Sequence, residues 1–277
     1  MGSAGARGPA APARGARGGG LVSAPLGGAP LEVIVPDWPA PPAVRAAFTL
    51  RMGGVSAAPF DSLNVGAHVG DAGAAVAENR RRVRTQLRLP AEPLWLEQVH
   101  GTAVADLDVL SGQASAAPPT ADAAIARRAG NVCVMQVADC MPVLFAARDG
   151  RAVAVAHAGW RGLAAGVLEA TVARLAVAPG GLIAWLGAAI GPAHFEVGGE
   201  VRAAFLAHDA AAAQAFSPNS RGRWQCDLGA LARRRLERAG VSAVFGGDWC
   251  TYSDPLRFFS YRRDGQCGRM AALIWLV

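Results

Sequence analysis

The chain has 277 residues, of which 52% are apolar and 17% charged, with a formal net charge of +6. A charged share below the ~25% of an average globular domain excludes general disorder. No apolar run reaches the ~18–20 residues of a membrane-spanning helix, so no membrane association is expected. Arg7, Arg14 and Arg17 are the only charges of the first thirty residues, and the remainder is left with a surplus of only +3, which is no nucleic-acid footprint. Five cysteines, an odd number in a long chain without a secretory signal, do not form a disulfide framework and point to a reducing cytoplasm.

Residues 1–30 are Gly, Ala, Pro and Arg without hydrophobic period and read as a disordered tail; residues 31–277 are expected to form one domain. Val76–Leu87 reads as a helix with its arginines in water. Asn131–Val137, Pro142–Ala147 and Arg151–His157 are apolar, β-rich runs, and Asp149-Gly150 between the last two signals a hairpin. Gly159–Gly162 leads into a helix over Leu163–Val177, and Leu182–Ile190 is a buried strand closed by Gly191-Pro192. Asp227 caps a helix running to Ala239. Phe258–Tyr261 and Met270–Leu276 flank a second Asp-Gly pair and predict a second hairpin. Alternating strands and helices give an α/β or mixed α+β class.

The first hairpin makes a chemical prediction. With its centre near residue 149, Cys140 and His157 stand nearly opposite each other, where Cβ atoms are ~4.5–5.5 Å apart, although a slip of one residue turns a side chain to the other face. A thiolate and an imidazole at that distance can share a metal. His100, at the edge of a loop before Gly101, is the third candidate. A His, Cys, His set suits Zn²⁺ and leaves a fourth position open; copper accepts the same ligands. The bland reading is a small buried thiol and a turn histidine, and gaps of 40 and 17 residues match no short metal motif. His157–Gly162, between strand and helix, is also a candidate anion site with Arg161 adding charge; helix entry and close packing explain its glycines equally well.

Gln98–Gly101 (QVHG), Ala138–Leu144 (ADCMPVL) and His157–Gly162 (HAGWRG) resemble the laccase-domain, multicopper-oxidase-like family, whose members are described as purine nucleoside phosphorylases. FTLRMGGVS (48–56), SLNVGAHVGD (62–71), IGPAHFEVGGE (190–200) and FFSYRRDGQCGR (258–269) extend the resemblance over roughly residues 37–277, with Leu50 and Met141 as minor departures. The resemblance implies a layered α-β-β-α sandwich, zinc on His100, Cys140 and His157, and nucleoside and phosphate as substrates. It further implies phosphorolysis of adenosine, inosine and S-methyl-5'-thioadenosine, with deamination of adenosine. The molecule is expected to be a monomer or weak oligomer without nucleic-acid partners.

Deamination suits zinc's ability to lower the pKa of water toward ~7, with Cys140 and Asp139 as the catalytic candidates; Asp139 alternatively caps the turn before Cys140. Arg51, Arg161 and Arg262 are candidates for phosphate, with surface ion pairs as the competing reading. Asn64 and His68 are candidate substrate contacts, or turn and loop residues. Trp160 either stacks on a purine or anchors packing. The competing functions are a copper-dependent polyphenol oxidase, disfavoured by only five histidines in the chain, a peptidoglycan-precursor editing amidase, and a binding protein with structural zinc.

Overall fold

The structure, a computed structural model, describes residues 20–24, 31–110 and 117–277. Its strands in chain order are β1 (Gly20–Ala24), β2 (Leu31–Val35), β3 (Val44–Thr49), β4 (Val104–Asp106), β5 (Ala123–Ala126), β6 (Val132–Val137), β7 (Met141–Ala147), β8 (Val153–Ala158), β9 (Leu182–Leu186), β10 (Glu196–Val197), β11 (Phe216–Pro218), β12 (Trp224–Cys226), β13 (Ala243–Gly246) and β14 (Met270–Leu276). The α-helices are α1 (Gly73–Gln86), α2 (Leu107–Leu110), α3 (Trp160–Ala165), α4 (Val167–Leu175), α5 (Gly199–Leu206), α6 (Leu228–Arg238) and α7 (Tyr261–Asp264). None of these helices is long and apolar enough to cross a membrane. The tail expected over residues 1–30 lies mostly outside the described residues; within it, Gly20–Ala24 forms a strand antiparallel to β2.

Two sheets stack face to face. One is ordered β1-β2-β3-β14-β6, the other β13-β9-β7-β8-β5-β4, and β10-β12-β11 form a small third sheet. Strand alternation sorts the side chains into layers. Cys133, Met135 and Val137 of β6 face Leu144, Ala146, Val153 and Val155 of the other sheet in the central core. Val132, Val134, Leu273 and Trp275 point the other way and pack with Val83 of α1. Val143, Phe145, Ala154 and Ala156 bury the far face of the second sheet under Leu168 and Val172 of α4 and Leu231 and Leu236 of α6. This is the α-β-β-α layering that the family resemblance implies. With both faces covered, β7 and β8 are buried at every position, which is why they read as unbroken apolar runs rather than alternating ones.

The Asp-Gly turn at Asp149-Gly150 joins β7 to β8, with Pro142 opposite His157. Asp227 caps α6 by accepting from the amide of Ala230 at 2.9 Å. The helix expected over 163–177 is two helices, α3 and α4, broken at Gly166, whose φ is 104°. The second predicted hairpin is absent: Ser260 caps α7, accepting from the amide of Arg263, and β14 pairs instead with β3 and β6. That strand has long-range partners with better-matched apolar faces than the short Phe258–Ser260 segment, and periodicity does not reveal partners. The ends of β5, β6, β7 and β8 converge at one edge of the sandwich, where buried Asp122, Gln136, Asp139 and His157 interrupt the apolar core.

Candidate metal centre and its cavity

His157 is the penultimate residue of β8 and is 3% exposed. Because Pro142 is its register partner, Cys140 sits two residues further along and meets His157 diagonally rather than directly. Cys140 follows Asp139, whose φ of 89° bends the chain into β7. His100 also has a left-handed backbone, with φ of 62°. The donor atoms of His100, Cys140 and His157 all lie within 4.8 Å of one another. Cys140 Sγ is 3.6 Å from His100 Nε2, and the two imidazole rings meet edge to face with centroids 4.7 Å apart.

Asp122 organises this arrangement. It is fully buried. Its carboxylate accepts from three successive amides, Val99 at 3.1 Å, His100 at 2.9 Å and Gly101 at 2.7 Å. Consecutive N–H groups converge on an anion only when the chain alternates conformation, and this geometry sustains the left-handed His100. The cost of that conformation, ~1–2 kcal/mol, is offset by charge-assisted bonds. Asp122 Oδ1 also lies 2.8 Å from His157 Nδ1, which fixes the ring and leaves Nε2 as the donor toward Cys140 and His100, as in carboxylate–histidine–metal arrays.

The electrostatics favour a ligand set. Burial alone pushes the Cys140 thiol up, but the charge and hydrogen bonds of His157 and His100 outweigh it and hold the thiol down, at about 6. Burial lowers His157, and the Cys140 thiolate and Asp122 more than reverse this, raising it to about 9. For Asp122 burial again acts upward, but the bonds from His157, Gly101 and Val99 bring the carboxyl below its ordinary range. The steric fit is equally specific. A Cβ on Gly159 would lie 2.8 Å from both Cys140 Sγ and His100 Cδ2, and one on Gly162 would lie 2.9 Å from the carbonyl oxygen of Gly101. The HAGWRG glycines thus make room for the donor trio and for the 100–101 loop. A thiolate, two imidazoles, a carboxylate behind one of them and space where a side chain is excluded fit a zinc-type ion.

A cavity of about 510 Å³ opens onto the three donors and is also lined by His68, Arg161, Arg262, Arg269 and Trp160. Arg161 lies over the ring of Trp160, 4.4 Å from its centroid, and Arg262 donates to the Glu196 carbonyl at 2.8 Å. Burial, then Arg269 and Arg80, lowers the pKa of His68, keeping its imidazole neutral near pH 7.

Two of the residues singled out from the sequence lie elsewhere. Arg51 does not line the cavity: its guanidinium is held by the side chain and carbonyl of Asp61 and by the Pro255 carbonyl. Asn64 is fully buried and spends its amide on Gly66, Asp71 and the amide of Arg269. Asp139 lines the cavity, but both its oxygens are engaged, one by the Thr251 hydroxyl at 2.6 Å and one by the Arg262 amide at 2.7 Å. Sequence reasoning missed Asp122, Gln136 and Arg269. A single acid set among alanines just before a strand was the available signal for Asp122.

A family model described as "Multi-copper polyphenol oxidoreductase laccase" matches residues 45–277. The purine nucleoside phosphorylase YfiH of Escherichia coli is 52% identical over 246 residues, covering 89% of this chain and 99% of its own. A purine nucleoside phosphorylase of Pseudomonas aeruginosa is 54% identical over 244 residues, covering 88% and 98%. The crystal structure of a Neisseria meningitidis protein superposes with a TM-score of 0.84 at 47% identity, over 88% of this chain and 98% of that one. Matching in sequence over most of its length and in fold, the chain belongs to the multi-copper polyphenol oxidoreductase laccase family.

Proposed function

We propose that the protein is a zinc-dependent purine nucleoside enzyme. It cleaves adenosine, inosine and S-methyl-5'-thioadenosine with phosphate to free base and the (methylthio)ribose 1-phosphate, and it also deaminates adenosine. The observation that carries this reading is that one cavity joins the His100, Cys140 and His157 donors to the cations of Arg161, Arg262 and Arg269. The names of the relatives support the substrate class. Zinc held by His100, Cys140 and His157 would supply Lewis acidity.

The chain's own residues do the rest. Arg161, Arg262 and Arg269 hold phosphate, with guanidinium forks matched to its oxygens. A phosphate oxygen bonds to the anomeric carbon as the bond to the purine nitrogen breaks, and the base leaves with that electron pair and takes a proton. His68, neutral and at the cavity wall, contacts substrate. Asp139 is assigned to positioning Cys140 and Arg262 rather than to proton transfer, because both its oxygens are occupied. Asn64 supports Arg269 from behind, and Arg51 braces the 51–62 loop.

The test is to measure bound metal in purified protein and incubate it with adenosine, with and without phosphate. Adenine with ribose 1-phosphate shows phosphorolysis, and inosine shows deamination. Cys140→Ala should lose the metal and both activities. Retained turnover without metal, or copper-dependent oxygen uptake on a phenol with no action on nucleosides, overturns the reading.

A further inference from the structure

The cavity wall carries one buried side-chain oxygen without a hydrogen-bond partner among the described residues. Gln136 lies on β6, 6% exposed, among buried apolar neighbours, and lines the cavity. Its Oε1 is buried and accepts no hydrogen bond from any described residue. An orphaned buried acceptor costs ~1–3 kcal/mol, and a turn of the Gln136 side chain at the cavity wall would bring it to a partner there.

The backbone beneath the side chain is also held in place. Gln136 stands at the free edge of the first sheet, and the Gln98 side chain pairs with its backbone like an added strand. Gln98 Oε1 accepts from the Gln136 amide at 2.8 Å, and Gln98 Nε2 donates to its carbonyl at 2.9 Å. The pairing locks the backbone that carries the amide only four residues before Cys140. Tyr261, 61% exposed, shares the cavity wall, with Arg269 5.8 Å from its ring centroid. An aromatic face and an unpaired amide oxygen suit a flat, hydrogen-bonding heterocycle.

We propose that Gln136 is the residue that reads the purine base, pairing its side-chain amide with the edge around the 6-position. This rests on the nucleoside reading above. Turned one way, the amide accepts from an exocyclic amine and donates to a ring nitrogen, as glutamine does with adenine. Turned over, it donates to a 6-oxo group and accepts from the adjacent ring N–H. A carboxylate in its place has no donor for the oxo group or for the ring nitrogen of a 6-amino purine, and a thioether offers neither function. Gln136 is thus a specificity residue that admits both 6-amino and 6-oxo purines.

The experiment measures calorimetric binding of adenosine, inosine and purine riboside, which lacks the 6-substituent, to wild type, Gln136→Met and Gln136→Glu, with metal content and melting temperature recorded. In wild type, adenosine and inosine should bind roughly tenfold or more tighter than purine riboside. Gln136→Met should weaken both by about tenfold to a hundredfold and purine riboside, which offers only its ring nitrogen, distinctly less. Gln136→Glu, which keeps one acceptor bond and loses the donor bond with either ligand, should weaken adenosine and inosine alike. Equal loss for all three ligands, or no loss for any, overturns the proposal. If the variants fail to fold, equal wild-type affinities for adenosine and purine riboside overturn it alone. Wild-type binding without phosphorolysis refutes only the reaction, whereas no nucleoside binding refutes both.

Discussion

Asp122 Oδ1 sits 2.8 Å from Nδ1 of His157, and the same carboxylate holds the backbone amide of His100. One buried acid therefore orients two of the three candidate donors. Asp122→Asn keeps one oxygen for four donors and turns an NH₂ toward the others. Metal affinity should fall about 10–100-fold, and the metal-free protein should lose about 2–3 kcal/mol. Competition with a chromogenic chelator and urea denaturation check the two effects.

The same carboxylate sets an acid limit. Its folded-state pKa lies below the ordinary value, so the folded protein gives up this proton more readily than the unfolded chain does. The stability it contributes is complete above the unfolded carboxylate pKa of ~3.9 and is lost as pH falls through the folded value. Urea midpoints of wild type and Asp122→Asn should differ most near pH 7 and converge toward pH 3. A constant gap across that range would refute this assignment.

Gly159→Ala places a methyl 2.8 Å from the Cys140 sulfur and from His100. The loops must part, and bound metal should drop below about one tenth of wild type by elemental analysis. Gly180→Ala, where an added Cβ meets nothing within 4 Å, should leave metal content unchanged.

Thiol chemistry should distinguish the cysteines. Burial pushes Cys226 up to about 12 and Cys133 higher still, while Cys140 is held at about 6. In metal-free protein at about pH 7.5, iodoacetamide should modify Cys140 before Cys133 or Cys226, because the thiolate is the nucleophile. Added zinc should protect it. Peptide mapping by mass spectrometry gives the order.

Arg161 lines the cavity from the first turn of α3 with no acidic partner in reach of an ion pair among the described residues. Arg161→Gln should raise the KM for phosphate about tenfold or more, with the melting temperature within about 2 °C of wild type. An unchanged phosphate KM removes Arg161 from the substrate site.

Much of this was legible in the sequence for identifiable reasons. Asp149-Gly150 dictates a local turn, so the β7–β8 hairpin, and with it the nearness of Cys140 to His157, follows from residues close in the chain. The diagonal register does not, because it follows from the length of the whole turn between Ala146 and Val153, which the Asp-Gly pair alone does not specify. The placement of β14 depends on partners more than 120 residues away, and a local Asp-Gly pair taken without them suggests a hairpin at 258–270 that the fold does not contain. Arg51 and Arg262 look alike in sequence, each near glycine or aromatics. Only the fold shows one turned to Asp61 and the other to the cavity.

The last strand, β14, is inserted between β3 and β6. A ribosome must therefore release β14 before the first sheet can close, and a nascent chain that holds only β3 and β6 carries a gap between them until then. Excising Met270–Leu276 would remove a keystone rather than a fringe, because β3 and β6 both lose the strand that joins them.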